Sequence, residues 1–155
     1  MVSISVENPL QEDVRVMVAA LNAYLRPLSP PQFQFQMTAE QMAGADTTVF
    51  VLRGLDRAAI GMGALKIHKA GFGEVKRMFT RPDLRGTGLG RIILNAVEDE
   101  ARKKGLELLR LETGGTHGFE PAWRVYERGG FARCGAFLDY PDTEYSRFYE
   151  KKLSA

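Results

Sequence analysis

The segment Arg85-Gly86-Thr87-Gly88-Leu89-Gly90 constrains this chain more than any other, because three glycines at every second position stand directly before its clearest helix. From there Leu89, Ile92, Ile93, Ala96, Val97 and Ala101 recur at helical spacing with charged residues between them, and Gly105 stops the pattern. Before the glycines, Gly73 to Thr80 reads as a strand that Pro82 prevents from continuing. A strand, a glycine turn and a helix N-terminus together make a place for an anion. Absent side chains let a ligand approach the backbone, the first N–H groups of the helix lack partners, and the helix dipole favours negative charge. Arg85 and Arg91 bracket the turn, where they can add charge-assisted hydrogen bonds to phosphate.

Two common phosphate loops fail on the residues. A P-loop needs lysine and then serine or threonine after its last glycine, and here Arg91-Ile92 follow Gly90. The dinucleotide fingerprint needs unequal glycine spacing near the start of a βαβ unit, whereas Gly86, Gly88 and Gly90 are evenly spaced.

The remaining pattern predicts a mixed α/β domain spanning residues 1–155, without internal repeat or linker. Val2 to Val6 alternates like a short strand, and Asn8 with Pro9 predicts the cap and first position of a helix carrying Val14, Met17, Val18 and Leu21. Thr38 opens a short helix through Met42. Thr48 to Leu52 and Ala59 to His68 form a hairpin, Leu106 to Thr113 a strand, and Pro121 to Arg128 a helix ended by Gly129-Gly130. Phe131 to Phe137 and Arg147 to Leu153 complete the sheet. At 155 residues, 45% hydrophobic and 26% charged, the chain can bury one core. A net charge of +2 without a basic tail gives no reason to expect nucleic acid. Cys134 is the lone cysteine, which excludes an intrachain disulfide and a cysteine-rich metal site; no metal is expected. No apolar run nears the ~20 residues that cross a bilayer, and the first eleven residues lack a secretion-signal pattern, so the expected location is cytoplasmic.

Arg85 to Gly90 resembles the arginine-or-glutamine, two residues, glycine, one residue, glycine-or-alanine signature of the GCN5-related N-acetyltransferases. Glu74 to Pro82 looks like the strand that family places before the loop, and Val125-Tyr126-Glu127-Arg128-Gly129-Gly130-Phe131 looks like its later helix. The Leu-Glu-Thr-Gly strand end, Leu111 to Gly114, is most like that of bacterial members. The resemblance implies a central mixed sheet of six or seven strands, about four helices and a splayed parallel strand pair that takes acetyl-CoA.

By the same resemblance, the backbone amides of Arg85, Gly86, Thr87, Gly88, Leu89, Gly90 and Arg91 receive the CoA pyrophosphate. The backbone of Met78, Phe79 and Thr80 then pairs with the pantetheine arm. Tyr126 matches the tyrosine used near the CoA sulfur, as acid toward the leaving thiolate. Glu74 is the candidate base, with a water relay as the alternative. Glu112 on the neighbouring strand is a candidate to contact substrate or share the base role, and His117 in the following loop a candidate base or substrate contact. His68 and Cys134 are read as inert, and Trp123 as covering part of the core or the cofactor channel. Phe33, Phe35, Tyr140, Tyr145 and Tyr149 can wall a pocket for a small amine or pack against a second subunit as a homodimer. The implied activity is direct acetyl transfer to the primary amine of a small molecule or amino acid derivative. A protein N-terminus or lysine is the alternative acceptor, and a non-catalytic acetyl-CoA sensor is the alternative role.

Overall fold

The computed structural model describes residues 2–153. Seven strands form one sheet in the order β1-β2-β3-β4-β5-β7-β6: β1 Ser3–Val6, β2 Thr47–Arg53, β3 Ala59–Ile67, β4 Gly73–Thr80, β5 Leu108–Gly114, β6 Ala132–Arg133 and β7 Ser146–Lys152. All neighbours are antiparallel except β4 and β5. Four α-helices flank the sheet: α1 Glu12–Leu25, α2 Ala39–Met42, α3 Leu89–Lys103 and α4 Glu120–Arg128. Among the described residues no helix is long and apolar enough to cross a membrane.

Each face of the sheet has its own core. Ile93, Leu94, Val97 and Ala101 of α3 are fully buried, and Leu94, Val97 and Ala101 pack with Leu65, Val75, Leu109, Leu111 and Tyr149. Burying each such leucine or isoleucine contributes roughly 1.5–3 kcal/mol. On the other face Val14, Met17, Val18 and Leu21 of α1 meet Val49, Val51, Met62, Ala64 and Phe79. Alternation therefore decides which side chains of β4 and β5 see which helices.

Local chemistry moves two predicted boundaries. Asn8 does not cap α1; its Oδ1 accepts from the Leu10 amide at 2.9 Å, so the chain turns first and the helix starts at Glu12 with Gln11 as its cap residue. The strand predicted over Phe131 to Phe137 pairs only at Ala132 and Arg133. Phe137 instead turns inward onto Phe72 and Phe148, and Leu138 takes a left-handed φ of 53°. Thr38 does cap α2: its side chain accepts from the Gln41 amide while the Gln41 side chain accepts from the Thr38 amide.

α3 is tied to β7 through a buried ion pair. Lys151 Nζ donates to Glu98 Oε1 at 3.0 Å and Oε2 at 3.1 Å, and to the Gly129 carbonyl at 2.7 Å. Glu98→Ala is expected to strand that ammonium and cost about 3–5 kcal/mol, read as a lower urea midpoint at unchanged slope. The double variant Glu98→Ala, Lys151→Met should recover most of the loss; a single variant within experimental error of the native midpoint would refute the assignment.

Candidate active site

β4 and β5 pair only at Gly73↔Leu109 and Glu74↔Arg110. Beyond Glu74 each strand follows its outer neighbour. β4 stays on β3 as far as Gly61↔Thr80, and β5 stays on β7 as far as Gly114↔Ser146. The β4 edge over residues 75–80 thus opens onto a gap without a strand partner. Two residues of β4 also oppose one of β3 where the register shifts between Met62 and Ala64, which is a bulge, and Arg77 within it takes a left-handed φ of 53°.

The bulge changes which face β4 presents. Val75 belongs to the α3-side core, and Lys76 to the opposite face. Strict alternation would return Arg77 to the α3 side. With the bulge, Arg77 instead hydrogen-bonds Asn22 of α1, Met78 packs on the α3 side and Phe79 on the α1 side.

At the mouth of the gap, Gly86 and Gly88 have φ of 81° and 86°, a backbone conformation that favours glycine, and α3 starts without a side-chain cap. The amides from Gly86 to Arg91 have no backbone or side-chain acceptor among the described residues. The two arginines beside the loop are engaged. Arg85 Nε donates to the Thr80 carbonyl at 3.0 Å and its guanidinium lies over the Tyr24 ring at 4.6 Å. Arg91 donates to Asn95 Oδ1 at 3.1 Å and to the Arg128 carbonyl at 2.7 Å. The anion-binding capacity of the loop therefore resides in its amides.

At the closed end, Glu74 is 2% exposed and bound by three partners. His68 Nε2 lies 2.8 Å from Oε1, Lys76 Nζ donates to Oε2 at 3.3 Å, and Tyr140 Oη donates to Oε2 at 2.5 Å. Lys76 also donates to Tyr140 Oη at 2.8 Å. Burial, then the Glu74 charge, pushes the Tyr140 phenol far up, so it stays protonated. His68, expected to be inert, and Tyr140 are the members of this cluster that the sequence does not connect to Glu74.

Two positions along β5 from the Glu74↔Arg110 pair, Glu112 lies where the strands have already parted. Leu109 and Leu111 face α3, so Arg110 and Glu112 face the Tyr140 side. Glu112 Oε2 accepts from Ser146 Oγ at 2.8 Å. Burial raises its pKa to about 7, with Ser146 and Lys76 opposing the rise and Glu74 adding to it. Tyr126 of α4 belongs to the α3-side core, beside Leu94, Phe131 and Tyr149. Its hydroxyl makes no hydrogen bond among the described residues. Burial, then the Glu112 carboxylate, pushes its phenol far up. A carboxyl brought near neutrality and a phenol held protonated thus interact electrostatically from opposite faces of the sheet.

His117 is not brought to this cluster: its side chain is 96% exposed and Nδ1 pairs with Glu120 at 2.7 Å. Trp123 Nε1 donates to the Gly114 carbonyl at 2.8 Å, with Arg147 stacked 3.5 Å over its ring. The segment between α1 and α2 packs on residues of the β5–β7 side. Phe33 stacks on Tyr145 at 5.0 Å, Phe35 meets Tyr140 edge-on at 5.3 Å, and Thr116 bonds the Leu28 carbonyl.

The Acetyltransferase (GNAT) family model matches residues 17–131 of the chain. An IAA acetyltransferase of Azospirillum brasilense is 39% identical over 153 residues, covering 98% of each chain. An uncharacterized N-acetyltransferase of Bacillus subtilis is 36% identical over 142 residues, covering 90% of this chain and 93% of its own. A solved structure from Klebsiella pneumoniae, provisionally designated an acyl-CoA N-acyltransferase, superposes with a TM-score of 0.83 at 32% identity over 99% of both chains. The chain belongs to the GNAT family and is an acyltransferase. Acetyl-CoA is the donor in that family, and the gap between β4 and β5 with its glycine loop presents free backbone donors.

The Tyr140 hydroxyl satisfies a buried carboxylate, so Tyr140→Phe is expected to destabilise the fold by about 1–3 kcal/mol although the ring packing is kept. Calorimetric melting reads this as a lower Tm. An unchanged Tm would mean that His68 and Lys76 suffice for Glu74.

Proposed function

We propose that this chain moves the acetyl group of acetyl-CoA directly onto the primary amine of a small molecule or amino acid derivative, with Glu112 as base and Tyr126 as acid. The observation that carries the reading is the position of Glu112: past the last β4–β5 pair, partly buried, and electrostatically coupled to an unbonded tyrosine. Glu74 satisfies three neighbours at the closed end, which suits it to hold Lys76 and Tyr140 in place rather than to take a proton.

The loop amides of Gly86 to Arg91 receive the pyrophosphate, and the open β4 edge, including Met78, Phe79 and Thr80, pairs with the pantetheine arm. The amine nitrogen attacks the thioester carbonyl and gives its proton to Glu112. As the tetrahedral intermediate collapses, the C–S bond breaks and Tyr126 Oη protonates the departing sulfur. The phenol then regains a proton by way of Glu112, leaving amide and CoA thiol. Phe33, Phe35, Tyr140 and Tyr145 narrow the acceptor side, which favours a small amine over a folded protein surface. The name of the Azospirillum relative, an IAA acetyltransferase, supports a small-molecule acceptor over a protein one. The reading places the enzyme in the cytoplasm, where Cys134 stays reduced.

The test is calorimetric titration with acetyl-CoA followed by thiol-release kinetics. Gly88→Asp puts a carboxylate among the amides and is expected to abolish binding. Glu112→Gln and Tyr126→Phe should bind acetyl-CoA normally and each lose roughly 100- to 10,000-fold in kcat/KM. Because a base works only when deprotonated, native kcat/KM should rise with pH through about 7, and Glu112→Gln should lack that limb while Tyr126→Phe keeps it. Native rates in Glu112→Gln would refute the base. A native chain that binds acetyl-CoA yet acetylates no amine would make it a sensor instead.

A further inference from the structure

Arg77 is a buried cation without an anion. The residue is 8% exposed; it donates to the neutral Asn22 Oδ1, its Nε is buried with no partner, and no carboxylate lies within ion-pair distance among the described residues. Other partly buried cations show the contrast: Lys76 holds Glu74, Lys151 holds Glu98, and Arg53 holds Glu7 and Asp13. Burial alone lowers the Arg77 pKa to about 10, with no nearby acid to oppose it. Such a charge is costly to fold around, and its left-handed backbone at the bulge adds about 1–3 kcal/mol of strain. A residue kept under both penalties calls for a compensating partner.

Its place identifies that partner. The bulge turns Arg77 onto the α1 face, beside Lys76, just beyond the point where β4 parts from β5. Glu112 faces the same side from β5. We propose that Arg77, oriented by Asn22, binds a carboxylate on the acceptor, so that the enzyme acetylates amino carboxylates whose amine lies at Glu112. The inference rests on the acetyl-transfer reading above. Arg77 takes no part in bond making; it is a specificity residue whose guanidinium matches a carboxylate in charge and in fork geometry.

The experiment compares free α- and ω-amino acids with their carboxamides, pairwise, by thiol release with acetyl-CoA in the native chain and in Arg77→Met. The native chain is expected to prefer the carboxylates by about 10- to 100-fold in kcat/KM. Arg77→Met should lose that preference through the acceptor KM, with the pH limb unchanged. Should Arg77→Met fail to fold, Arg77→Gln, polar and without charge, carries the same readout. A second measurement needs no turnover: the amino carboxylates should raise the Tm of the native chain and not that of the variant. Equal use of carboxylate and carboxamide by the native chain, or the native ratio retained in the variant, overturns the proposal while leaving acetyl transfer intact. If no amine is acetylated, the acetyl-transfer reading fails, and equal Tm shifts in both proteins then overturn this one as well.

Discussion

A strand edge inside a sheet is normally paired, because each backbone N–H or C=O shut away from water without a partner costs about 1–3 kcal/mol. The β4 edge beyond Glu74 is the place where this molecule leaves such groups open. Each of the two diverging strands is held firmly on its other side, β4 by β3 and β5 by β7, so the gap is a product of the sheet and not of a mobile loop. An extended ligand arm offering amide groups fits this edge as an added strand. The helix α3 begins at one end of the gap, with unsatisfied amides in a glycine turn, and Glu74 with its three partners closes the other. On the proposed reading, donor binding, proton transfer and acceptor recognition all use that single divergence.

The two carboxylates in the gap show how environment divides labour between identical groups. Glu74 has a tyrosine hydroxyl, an ammonium and an imidazole around it, which leaves little capacity for a further proton partner. Glu112 has one serine hydroxyl and a desolvating surround, and burial brings it to about 7. Burial raises the Tyr126 phenol on the opposite face in the same direction, and the Glu112 charge adds to it, so a phenolate there is disfavoured.

Much of the scaffold is legible in the sequence because its signals are local. The helical stripe from Leu89 to Ala101, the hairpin of β2 and β3, and the Thr38 cap are each decided within a few residues. The misplaced start of α1 and the shortened β6 have equally local causes that compete with pattern: an asparagine satisfied by its own turn, and a phenylalanine drawn to an aromatic cluster. The site is less legible. Glu74 meets Tyr140 from a distant loop, and Glu112 meets Ser146 across a strand pair, neither of which periodicity reveals. Arg77 is hidden most completely, because a bulge reverses the face that alternation assigns to it.

Hydrogen–deuterium exchange with and without CoA tests the central claim most directly, because the open strand edge and the glycine turn are defined by their free amides. On binding, residues 75–80 and 86–91 should gain protection together, while the α1 and β2 amides remain unchanged. Protection confined to other segments, or binding that leaves the β4 edge exchanging as before, would contradict the assignment of the gap as the acyl-CoA site.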